Sequence, residues 1–147
     1  MIRVIAAVAA AMSAIELVKY FSDRKIFISF AIEDQNLRNL FVGQAGNTIT
    51  PFEFADRSVK KPWDSAWKTK CRTRIKSCDG VVVLFSENTL LASGVHWEVK
   101  CAIEEQIPIL VIYSGRRVGR KRLPSVFEGL ELHKWSWPAV EEFVAGL

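Results

Sequence analysis

The residues best placed to do chemistry lie in the segment 93–98, SGVHWE, which opens a stretch of helical period after a strongly apolar run. Glu98 falls in the first turns of that helix, where the macrodipole favours a carboxylate. Trp97 beside it offers an apolar wall that keeps water out. Consecutive helical side chains point about 100° apart, so only one of the two can face a crevice fully. The plainer reading is an ordinary helix acid next to a Trp docked on a sheet. Further polar groups follow the other apolar runs: Ser29, Glu33 and Asp34 after the first, Asp56 and Ser58 after the second, Ser86, Asn88 and Thr89 after the third. No GxGxxG or GxxxxGK[ST] loop is present, so neither a dinucleotide fold of the usual kind nor a P-loop is implied. Ser29 and Ser86 lack a G-x-S-x-G elbow, and His96 and His133 are the sole histidines, which leaves no support for a serine hydrolase. With no CxxC pair and so few histidines, no metal site is expected.

Elements must position these groups, and from Lys25 onward strand-like runs alternate with helical periods, the pattern of an α/β fold with a parallel sheet. Residues 26–30, IFISF, read as the first strand. Residues 34–41 read as a helix that Gly43 and Gly46 end. Residues 48–55, TITPFEFA, read as a second strand, placed at an edge because Pro51 cannot donate to a ladder. Pro62 opens a helix whose Trp63, Trp67, Cys71, Ile75 and Cys78 share a face, interleaved with a solvated basic face at 68, 70, 72, 74 and 76. Residues 80–85, GVVVLF, have the continuous apolar character of the sheet's middle strand. A helix over 95–106 would turn Val95, Val99, Ala102 and Ile103 inward. Residues 108–113, PILVIY, form the next central strand, ELHKW a short last one, and 138–144 a closing helix. In an open parallel sheet ligands bind beyond the carboxyl ends of the strands where strand order reverses, and the polar groups above cluster at that rim.

At 147 residues the chain has room for one such core and none for a second. Its net charge of +4 is too mild and too scattered to imply nucleic-acid binding. The loop 115–122, GRRVGRKR, reads as solvated, with Arg116 and Arg117 as candidate phosphate contacts for a small-nucleotide sensor; it lacks the interleaved aromatics that base stacking needs. Cys71, Cys78 and Cys101 fit small core residues in a reduced, cytosolic protein. The alanine-rich run 4–15 is short for a membrane span, which needs about 20 apolar residues. A packing or oligomer-forming helix is the preferred reading of residues 1–24, with membrane contact and a cleaved signal as alternatives; residues 25–147 form the domain.

Five motifs, KIFISF, F-A-D-x-S at 54–58, PWDSAWK, VVVLFSENT and SGVHWEV, occur in an order and spacing that resembles the bacterial TIR-like family, relatives of the Toll/interleukin-1 receptor domain that include the TIR subunit of Thoeris antiphage defence. The similarity spans about residues 25–114. It implies a flavodoxin-like three-layer sandwich around a mostly parallel five-stranded sheet, with the N-terminal helix as an addition. It also implies cleavage of the nicotinamide–ribose bond of NAD, taken as substrate and not as cofactor, with an ADP-ribose-derived product acting on a downstream effector. Glu98 then takes the place of the family's catalytic glutamate, with Gly94 where many relatives carry Trp. Ser29 and Phe30 correspond to residues bordering the nicotinamide, and Asp56, Ser86 and Trp97 to substrate-contacting rim positions. Head-to-tail assembly with other TIR-like subunits is implied as well. A non-catalytic TIR-type assembly module is the rival reading.

Overall fold

The computed structural model describes residues 24–45, 52–54, 65–116 and 118–147, with the backbone alone for 52–54. The expected N-terminal helix lies outside these, as do Asp56 and the start of the Pro62 helix. Five strands, β1 (Ile26–Phe30), β2 (Phe52–Phe54), β3 (Gly80–Phe85), β4 (Ile109–Tyr113) and β5 (Leu132–Lys134), form one sheet in the order β2-β1-β3-β4-β5. All four pairings are parallel. Helices α1 (Gln35–Gln44), α2 (Ser65–Lys76), α3 (Ser93–Glu104) and α4 (Trp137–Ala145) cover it.

Strand alternation divides the core into two layers. Phe27, Val81, Val83, Phe85 and Val111 point to one face, where they meet Trp67, Cys71 and Ile75 of α2 and Val95, Val99, Cys101 and Ala102 of α3. Ile26, Ile28, Phe30, Val82, Leu84, Leu110 and Ile112 point to the other, against Phe41 of α1 and Val140 and Val144 of α4. β3 is buried along its whole length, which is why it carries no polar residue. At its first position Gly80 lets α4 approach closely: a Cβ there would stand 2.9 Å from Leu147 Cδ1 and 3.1 Å from the Phe143 ring, so those side chains would have to shift.

Two boundaries differ from expectation. α1 runs through Gly43, whose missing side chain faces open space, so this glycine costs helix stability without ending the helix. α3 begins two residues earlier than the apolar spacing suggests and closes before Gln106, which takes φ 57° in place of the usual glycine. One core assignment is also corrected: Ile103 is 47% exposed and Cys101 fills an interior position instead.

Candidate functional site

The strand order turns back between β1 and β3, the place where this topology lets the loops leaving the strands' carboxyl ends diverge. Three elements bring side chains together behind it. On α3, residues 95, 98, 99 and 102 share one face, and Glu98 is carried inward with the three apolar residues to 0% exposure. On β1, Ser29 shares its face with Phe27 and is also fully buried. Its Oγ donates to Glu98 Oε1 at 2.9 Å. On α2, Cys71 lies on the inward stripe, with Sγ 3.8 Å from Glu98 Oε2. Burying a carboxyl group is costly unless donors meet it, and here each oxygen has one from a different element.

A second cluster links the two loops of the crevice. Asp34 sits at the position preceding α1 but makes no cap hydrogen bond to it. Its Oδ2 instead accepts a short hydrogen bond from Ser86 Oγ and its Oδ1 accepts from Asn88 Nδ2 at 2.8 Å. Ser86 Oγ in turn accepts from the Asn88 backbone N–H at 3.0 Å, while the Ser86 backbone N–H donates to Thr89 Oγ1. Asp34 is only 6% exposed, so this is an interior latch between the turn after β1 and the turn after β3. Ser86 is therefore at the rim, as the sequence implies, with its hydroxyl engaged in holding the rim's shape.

Trp97 and Phe30 are not brought to Glu98. Phe30 points into the opposite layer, toward Phe41, because neighbouring strand residues face opposite sides of the sheet. Trp97 lies on the outward flank of α3, where Lys68 Nζ, the Arg72 guanidinium and Lys100 Nζ stand 4.7, 5.3 and 5.7 Å from its ring centroid. It floors a groove of about 290 Å³ shared with His96, Pro124 and Val126, which Glu98 does not line. Arg72 also clamps Glu104 and Glu105, each at 2.9 Å, which ties α2 to α3 and raises the guanidinium pKa further.

All three cysteines are buried and none is in a disulfide. Burial, followed by the nearby carboxylates Glu104, Glu98 and Glu105, pushes Cys101 up to about 11 against the opposing pull of Arg72. That thiol is protonated near neutrality and no nucleophile. Among the described residues no group of His, Cys, Asp and Glu could hold a metal ion, and no helix is long and apolar enough to cross a membrane.

Sequence reading singled out Glu98, Ser29 and Ser86 but treated Cys71 as packing and Asp34 as one rim residue among several. The spacing of 95, 98, 99 and 102 was available as a signal that Glu98 points inward. Nothing local marks the Cys71 contact.

The fold and site together define a doubly wound, flavodoxin-like α/β domain with a glutamate buried behind its topological switch point. The model of one family, the TIR-like domain of Thoeris protein ThsB, matches residues 27–118, and the chain belongs to that family. Among solved structures, a chain described as the 2-deoxyribosyltransferase of the psychrotolerant bacterium Bacillus psychrosaccharolyticus is similar at a TM-score of 0.52 and 14% identity, over 80% of this chain and 90% of that one. That likeness is one of fold. No curated protein matches the chain.

Proposed function

We propose that this domain cleaves the nicotinamide–ribose bond of NAD and releases an ADP-ribose-derived signal in antiphage defence, with Glu98 as the catalytic residue. The observation that carries the reading is the placement of Glu98: a fully buried carboxyl group, held by Ser29, behind the crevice of a Thoeris-type TIR-like fold. In the reaction the C1′–N bond breaks and its electron pair leaves with nicotinamide, which departs neutral and needs no proton. The positive charge that develops at C1′ is oxocarbenium-like, and a carboxylate beside the ribose stabilises it in a water-poor site. Water or a hydroxyl of the same or another molecule then attacks C1′ and loses its proton. A second acid is unnecessary, which fits a site with one carboxyl group and no paired histidine.

Asp34, Ser86 and Asn88 shape the mouth of the site in this reading. Asp56 remains a candidate substrate contact, Phe30 can contribute only through its backbone at the β1 terminus, and Trp97 acts from outside. NAD is the substrate, cytoplasmic location follows from where NAD is found, and head-to-tail partners and an effector that reads the product complete the proposed pathway. The test is nicotinamide release from NAD by the concentrated protein, with and without extract of phage-infected cells, followed by mass spectrometry of the product. Nicotinamide from the native chain and none from Glu98→Gln supports the reading; none from either under both conditions overturns it.

A second reading is a TIR-type assembly module without activity. It draws on the same carboxyl group, since both its oxygens already have partners inside the protein. It predicts that Glu98→Gln lowers the melting temperature markedly and leaves NAD intact in every sample.

A further inference from the structure

We infer that Ser29 and Cys71 act as a two-sided clamp that sets the orientation of the Glu98 carboxyl group, making both of them positioning residues. The inference rests on the catalytic reading of Glu98 and goes beyond it by assigning a role to the thiol and by changing that of Ser29.

A glutamate side chain has three rotatable bonds, and its terminal torsion is broad, so a buried carboxyl group without fixed partners samples several planes. Two donors on opposite oxygens remove that freedom. Ser29 Oγ holds Oε1 at 2.9 Å from β1, the strand at the centre of the crevice. Cys71 Sγ, 3.8 Å from Oε2, approaches from α2. The carboxyl plane is thereby referenced to the sheet on one side and to a helix on the other.

The choice of residues fits this division. Serine is the stronger donor and sits on a strand paired on both sides, so it sets position. The thiol is a weak donor with an apolar body, so it steers Oε2 and still fills its place in the core with Trp67 and Ile75. Of the three cysteines, Cys78 turns its Sγ to the Arg74 carbonyl at 3.2 Å, so contact with an acid is not a general habit of thiols in this core. The role differs from packing in a way that can be measured, because packing is indifferent to whether residue 71 can donate a hydrogen bond.

Two measurements on the full chain decide the matter. The first is the infrared S–H stretch. The Cys71 band, identified from its absence in Cys71→Ala, should lie below the Cys101 band in the native protein and move upward in Glu98→Gln, where the amide oxygen stays with Ser29 and an NH2 group, which cannot accept, faces the thiol. A Cys71 band that ignores Glu98→Gln overturns the clamp. The second is steady-state turnover of NAD. Removing the stronger donor in Ser29→Ala should lower kcat about ten- to hundredfold, and Cys71→Ala about three- to tenfold, with KM unchanged within about twofold. Cys71→Ser, which restores a donor, should recover most of the loss, whereas a purely structural role predicts that the more polar serine is no better than alanine. Equal turnover in Cys71→Ala and the native chain overturns the positioning role even if the band responds. A chain that turns over no NAD under any condition defeats the catalytic reading and the kinetic role with it, while the infrared band still decides whether the clamp exists.

Discussion

Trp97 and Glu98 are adjacent in sequence and belong to different worlds. Glu98 has no exposed surface and is met by a hydroxyl and a thiol from two other elements. Trp97, one residue earlier, lies on the flank of α3 beneath three cations. The roughly 100° step of a helix separates them. On the inner side the helix gives up favourable burial to carry an acid; on the outer side it spends a large aromatic ring on holding α2 to α3. Trp97 is partly buried against the edge of the core, so the anomaly is the acid: a polar group fully inside is the reverse of what stability alone selects.

The largest expected effect breaks this comparison most directly. Glu98→Gln should reduce nicotinamide release at least about a hundredfold while shifting the melting temperature by only about 2 °C, since the amide keeps the shape and still accepts from Ser29. Trp97→Ala should do the opposite, costing about 1–3 kcal/mol of unfolding free energy in denaturant titration and leaving turnover within about threefold. If the activity loss falls on Trp97 and the stability loss on Glu98, the assignment of the two faces is reversed. The latch at the mouth comes next. Asp34→Ala leaves the Ser86 hydroxyl and the Asn88 amide without their acceptor and should cost about 1–3 kcal/mol in the same titration, with KM for NAD rising more than kcat falls.

A pH effect sharpens the description of the inner face. The folded state holds the Cys101 proton to about 11, above the ordinary value of 9.0, so it binds more protons than the unfolded chain between those values. Its contribution to stability is complete below pH 9.0 and is lost as pH rises toward 11. The difference in unfolding free energy between the native chain and Cys101→Ala should therefore narrow over that window, and a constant difference would contradict it. The smallest effect lies at the surface: Arg122→Ala removes the exposed pair with Glu87 and should cost less than about 1 kcal/mol.

Much of this architecture is written in the chain. β1 and β3 could be placed to the residue, because each is an uninterrupted run whose ends are marked by a change of character, and the edge position of β2 followed from a single proline. α3 was displaced by two residues because its ends carry none of the usual signals: Ala92 caps without a side chain and Gln106 replaces a glycine. Phe30 shows a different failure. Alternation along β1 already required Ser29 and Phe30 to face opposite layers, and the motif carry-over grouped them at one substrate regardless. The Asp34 latch joins positions 52 and 54 residues apart, and the Cys71 contact spans 27, so both arise only once the sheet has formed. Asp56 and residues 1–23 lie outside the described residues.

Because every ladder in this sheet is parallel, no hairpin exists from which assembly could start. The first pairing of the centre, β1 with β3, already requires closing a loop of about fifty residues, and such topologies fold slowly. Glu98 can be enclosed only after that closure has drawn β1, α2 and α3 together, so desolvation of the acid accompanies the end of folding and not its beginning. A half-assembled chain thus keeps its acid wet, and the contacts of Ser29 and Cys71 with it arrive together with the finished sheet.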